Sequence, residues 1–248
     1  MTGAYKWKHG WADAYAYRNG DIAEEFFDLV VRPSLSALEE KYLELASSGD
    51  LVMSGLMAPD HRDLINKTNM AFCLSIQSLW EQQLRRYLGH CVSSLSIENV
   101  TADDLEHMTW GEKTNNLFQY IRGADLTTFD SYATLNKLQL LGNACRHGDG
   151  KSSRQLLKLY PELWPQHDIQ STQHPVARDT SIESLQISAG LLAGFVDAIV
   201  LFWTDLEILG LMSFATQDAG LFARITYLRN SRAARLALIS RPSQPCTQ

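Results

Sequence analysis

The chain has 248 residues, 45% of them hydrophobic and 20% charged, a globular composition that excludes a disordered or low-complexity protein. A net charge of −6 excludes a protein that coats nucleic acid through its overall charge, though not one with a local basic patch. The four cysteines, Cys73, Cys91, Cys145 and Cys246, are far apart with no C-x-x-C pair, so neither a zinc site nor a disulfide framework reads from them, and a cytoplasmic location is expected.

The opening stretch MTGAYKWKHGWADAYAYRNG has no apolar core ahead of a small-residue cleavage site, so no signal peptide is expected. Residues 21–48 space their apolar side chains for a helix with a break or kink at Pro33. Residues 61–95 predict the longest helix, with a broad apolar face that includes Leu64, Met70, Leu79, Leu84 and Leu88. TADDLEHM (101–108) opens on an N-cap threonine followed by acids, and TWGEKTNNLFQYIRG predicts a helix stopped by Gly123. A further helix is expected over 125–148, with Gly148 and Gly150 ending it, then a short one over 152–164. Residues 165–181 are polar, aperiodic and hold two prolines, the marks of a loop.

Residues 182–209 predict an apolar helix. Its greasiest run, 190–203, falls short of the roughly 20 residues of a membrane span and is interrupted by Asp197, so it reads as a core helix with no membrane association. A charge there needs a partner or an exit to solvent. An amphipathic helix over 219–240 and a frayed tail close the chain. No strand pattern or internal repeat appears, so the expected fold class is all-α, a helical bundle with extra flanking helices. The expected organisation is an N-terminal extension (1–60), a central bundle (61–210) and a basic C-terminal helix and tail (211–248).

The stretch LQLLGNACRHGDGKSS (138–153) ends an apolar run in an amide, a guanidinium and an imidazole. Asn143 and His147 are four apart and share one helical face. The imidazole of His147 can move a proton, and Asn143 can orient it or a phosphate. Arg146 is a fork-shaped phosphate clamp, Lys151 and Arg154 follow closely, and the glycines of GDG free backbone N–H groups for an anion. The same residues also suit a plain helix end, with cations complementing the dipole, glycine capping the turn and Asp149 pairing with Arg146.

GNACRH resembles the R-N-x-x-x-H signature of the HEPN superfamily, with Asn143 and His147 in register and Gly142 where that signature has arginine. The resemblance covers mainly residues 61–206. It implies a helical, commonly dimeric protein of a bacterial defence or toxin system, many members being metal-independent endoribonucleases with no cofactor. In a catalytic member, His147 would be the general acid/base, Asn143 would orient it and Arg146 would stabilise phosphorane charge. The products would carry 2′,3′-cyclic phosphate ends. Members that lose the arginine are known to bind without cutting.

Two further features bear on partners. Glu81 and Arg85 are spaced for an intrahelical pair, or for Glu81 to reach Arg146 or His147 as part of an RNA-binding surface. From 219 onward Arg224, Arg229, Arg232, Arg235 and Arg241 appear without an acidic residue, which suits a solvated face or a surface for RNA or an acidic protein partner. His61, His90 and His107 lack ligand spacing, so no metal site is expected. The sequence thus points to an RNA-binding or RNA-cleaving protein, homodimeric or part of a larger complex. The alternative is a non-catalytic interaction or regulatory subunit of a multi-protein defence complex.

Overall fold

The computed structural model describes residues 7–164, 180–214 and 218–239, and no strand occurs among them. The protein is an all-α helical bundle. Helix α1 (Ala16–Phe26) runs into a π-helical turn at Phe27–Val31 and then into α2 (Arg32–Ala46). Pro33, in the first turn of α2, has no N–H to give to the Leu29 carbonyl, and its ring crowds that turn. The wider π-helical turn accommodates both. A second π-helical turn, Met53–Met57, leads into α3 (Ala58–Ser94), the longest helix at 37 residues.

Helix α4 (Ala102–Glu106) starts as its sequence predicts. Asp104 N–H donates to Thr101 Oγ1, while Thr101 N–H and Oγ1–H both donate to Asp104 Oδ2. Those bonds hold the Asp104 carboxyl below the ordinary carboxylate range. Helix α5 (Glu112–Arg122) ends on Gly123 at φ 71°. Helix α6 (Tyr132–His147) starts later than expected, because Asp125 caps a separate 3₁₀ turn at Leu126–Thr128.

Helix α7 is Lys151–Leu159, so Gly150 begins that helix and Gly148, at φ 69°, alone ends α6. Helix α8 (Ala189–Met212) starts seven residues or so after the predicted 182. Ile182–Ser184 is a 3₁₀ turn, and Ser188 Oγ then accepts from Leu191 N–H at the new helix start. Helix α9 is Ala219–Ile239. The predicted loop at 165–181 lies mostly, and the tail wholly, outside the described residues.

The contacts divide the chain into two compact units that interleave along the sequence. Unit one comprises Met1–Phe26, Ser78–Asn136 and Gly194–Gln248, and unit two comprises Phe27–Gln77 and Lys137–Ala193. In unit one, Trp80 packs edge-on against Phe202, Trp203 and Trp110, with Phe118 and Phe129 adjoining. Gln83 ties this aromatic core to α1, accepting from Trp203 Nε1 and donating to the Asn19 carbonyl. Helix α8 is long and apolar enough to cross a membrane by length and composition alone. Its Phe195, Ile199, Phe202, Trp203 and Leu206 are instead buried in this core.

The N-terminal segment is fastened to unit one by a buried ion pair. Arg122 Nη2 donates to both oxygens of Asp13, at 3.0 and 3.1 Å, and its guanidinium lies 3.8 Å from the Trp7 ring centroid. Asp13 also accepts from Tyr87 O–H and from Gly10 N–H. Burial pushes the neighbouring Cys91 thiol up to about 12, against the pull of the Arg122 charge. Losing one partner of such a pair strands the other charge away from water. Asp13→Ala should therefore lower the unfolding free energy by about 3–5 kcal/mol, read as a large drop in the urea midpoint.

Candidate functional site at the end of α6

The motif lies in unit two, on the last two turns of α6. Leu138, Leu141 and Ala144 turn one face of the helix into the core, leaving Arg146 and His147 exposed in the final turn. Gly148 N–H closes that turn onto the Ala144 carbonyl at 2.9 Å.

The side chain that organises the motif comes from α3. Gln77 is fully buried, and its Nε2 donates to Gln139 Oε1 at 2.9 Å and to Asn143 Oδ1 at 3.3 Å. Its Oε1 accepts from Arg146 Nη2 at a long 3.5 Å. One amide therefore links Asn143 to Arg146. Gly142 makes room for it: a Cβ there would stand 2.6 Å from Gln77 Cδ, and closer still to Oε1. The space that a side chain at position 142 would enter is thus occupied by Gln77. A side chain at 142 requires the end of Gln77 to shift from this position.

One turn before Gln77, Cys73 faces Cys145 of α6. The Cys145 thiol and burial together raise Cys73 well above the ordinary thiol value. Both are free thiols, 72 residues apart in sequence and brought together only by the packing of α3 on α6.

Asp149 does not form the expected pair with Arg146 among the described residues; its Oδ1 accepts from Ile182 N–H at 2.9 Å. That bond holds the 180–187 segment beside the start of α7. The segment is further tied by Trp164 Nε1 donating to the Ser181 carbonyl and Gln186 N–H donating to that of Leu163. A cleft of about 350 Å³ opens there, lined by Asp149, Ser153, Arg154, Thr180 and Ser181. Lys151 and Arg154 are exposed on the first turn of α7. Asn143, Arg146, His147, Lys151 and Arg154 therefore belong to one unit, with the cations on consecutive helix ends.

Glu81 and Arg85 belong to unit one. They form the intrahelical pair at 3.4 Å, and Arg85 also donates to the Met108 carbonyl. A larger cleft of about 690 Å³ also lies in unit one, beside α4 and α5, and none of the predicted site residues lines it. Its Asp103 and His107 pair with each other at 3.2 Å on α4 and its edge. No group of three or more His, Cys, Asp or Glu side chains is placed to hold a metal among the described residues.

Three C-terminal arginines are engaged within their own unit. Arg224 pairs with Glu207, Arg232 with Asp205 and Asp130, and Arg235 with Glu24 and with Asp197, the charge inside the apolar helix. Burial raises the Asp205 carboxyl above its ordinary range even against the pull of Arg232. Arg229 donates to the Met212 sulfur at 3.3 Å, and Arg241 lies outside the described residues. No protein-family model, curated protein or solved structure matches the chain.

Gln77 was missed in the sequence, although an isolated glycine inside an apolar helical run is a signal of close packing. Gly142→Ala should destabilise the protein by about 1–3 kcal/mol, because the core there is already full. In a double-mutant cycle Gln77→Ala should relieve much of that loss, a coupling that urea unfolding of the four proteins measures. Additive effects would mean that the two positions do not meet.

Proposed function

We propose that the chain is a HEPN-like RNA-binding protein of a bacterial defence or toxin system, and that it grips RNA without cutting it. The observation that carries this reading is the buried Gln77 amide in the room that the motif's arginine would need. A buried amide hydrogen-bonded to Gln139 and Asn143 is costly to displace, since its partners would be left unsatisfied. The exposed polar side chains at these helix ends are untouched by this arrangement. Arg146 and His147 close α6 while Lys151 and Arg154 open α7, and the one acid between them, Asp149, is engaged by a backbone N–H. Such a set suits successive phosphates of a single strand, with Gln77 steadying Arg146 from below.

A second reading, the non-catalytic interaction subunit of a multi-protein defence complex, has one observation in its favour. Leu43, Leu51, Val52, Leu56 and Met57 in unit two are exposed, Leu51 at 85%.

The two readings part in a titration of a labelled single-stranded RNA, followed by fluorescence anisotropy at several salt concentrations. Contact by Arg146, Lys151 and Arg154 predicts that log K falls against log salt with a slope of about −2, at about 0.7 per phosphate neutralised on a single strand. Arg154→Ala should shallow the slope by about 0.7 and weaken binding of all sequences alike. No RNA affinity at low salt would leave the interaction subunit as the reading.

A further inference from the structure

Two thiols meet beneath the last turn of α6. On that helix Leu138, Leu141, Gly142 and Cys145 fall on one stripe by helical spacing, and the first three are buried. On α3, Cys73 lies one turn before Gln77 and shares its buried face with Ile76. Gln77 is pressed against Gly142. One turn back along α3 and one turn on along α6, Cys73 comes within hydrogen-bonding reach of Cys145. The two helices therefore run antiparallel here, with the thiols in register.

The pair is unequal in access. Cys73 is wholly buried, whereas Cys145 is half-buried and directly precedes the exposed Arg146 and His147. Cys91, the third cysteine among the described residues, belongs to unit one. Such a pair, one sulfur reachable and its partner sheltered against it, is built for reaction in sequence.

We propose that Cys73 and Cys145 are a site of reversible oxidation, which hydrogen peroxide converts to a disulfide joining α3 to α6. Cys145 reacts first, because the oxidant can reach it. Its thiolate attacks one peroxide oxygen, so that the S–O bond forms as the O–O bond breaks. The departing hydroxide takes up a proton and leaves as water. The Cys73 sulfur then attacks that of Cys145. The S–S bond forms, the S–O bond breaks, and the second hydroxide leaves as water with the Cys73 proton. Two thiols are oxidised and one peroxide is reduced to two waters. Burial and the neighbouring Cys145 thiol hold Cys73 in its protonated form, so it acts on an oxidised Cys145 and not on the oxidant.

In a reducing compartment the pair rests as thiols, and a disulfide there is a transient signal, not a permanent staple. Once formed, it fastens the turn that carries Arg146 and His147, one turn along α3 from the Gln77 amide. It also removes conformations from the unfolded chain, so the oxidised protein should resist urea better. None of this depends on RNA binding.

The test uses the full chain with Cys246→Ser, oxidised while folded with near-stoichiometric hydrogen peroxide and mapped by mass spectrometry without reduction. A disulfide between the Cys73 and Cys145 peptides is expected, with Cys91 still a thiol. The urea midpoint should rise, and dithiothreitol should return it to its starting value. Adding Cys73→Ala should leave Cys145 to pass on to the sulfinic acid at the same dose. Adding Cys145→Ala should leave Cys73 reduced. The mapped disulfide needs neither of these core variants and decides the matter if one of them unfolds. Sulfinic acid at Cys145 with Cys73 still reduced in the Cys246→Ser chain would overturn the proposal. So would a disulfide between other cysteines, or one that forms only in urea.

Discussion

Gln77 and Gly142 meet where α3 and α6 pack within unit two, and each is what it is because of the other. The glycine leaves the space, the amide fills it, and the amide's donor and acceptor are then used on Gln139, Asn143 and Arg146. A polar group this deeply buried is tolerable only when its bonds are made, so the arrangement resists piecemeal change. The chemistry at the end of α6 follows from it. Asn143 is held from beneath, Arg146 reaches Gln77 only at 3.5 Å, and both Arg146 and His147 stand exposed beyond the last core residue of the helix.

Unit one buries full charges, and there the compensation is a counter-charge. Arg122 is sealed from solvent, and Asp13, more than a hundred residues away in sequence, neutralises it. Asp197 and Asp205 on α8 would be unacceptable in an apolar helix but for Arg235 and Arg232 of α9. Arg224, Arg232 and Arg235 thus secure α9 to α8, while Arg229 stays exposed.

Much of the fold is legible in the sequence because it is local. Thr101 with Asp104, Gly123 and Gly148 mark helix ends through bonds that span only a few residues. Asp197 announced its need of a counter-charge, though not which residue would supply it. The sequence places the start of α8 too early because Ile182, Leu185 and Ile187 continue its apolar pattern. The helix begins instead where Ser188 Oγ accepts from Leu191 N–H, after a 3₁₀ turn whose first N–H is bonded to Asp149. Gln77 was illegible because its partners lie some sixty residues on, and nothing in its neighbours distinguishes it from a surface glutamine. Arg146, His147, Lys151 and Arg154, at the junction of α6 and α7, could be named from the sequence. That Gln77 fills the space beside Gly142 could not.

The most direct test of this account is incubation of the purified chain with total RNA in EDTA, beside His147→Ala matched for helical spectrum and melting point, with fragment ends analysed. Gln77 in the space beside Gly142 predicts intact RNA with both proteins. Fragments ending in 2′,3′-cyclic phosphate from the unsubstituted chain alone would contradict it, and would show that His147 cuts RNA without an arginine at position 142.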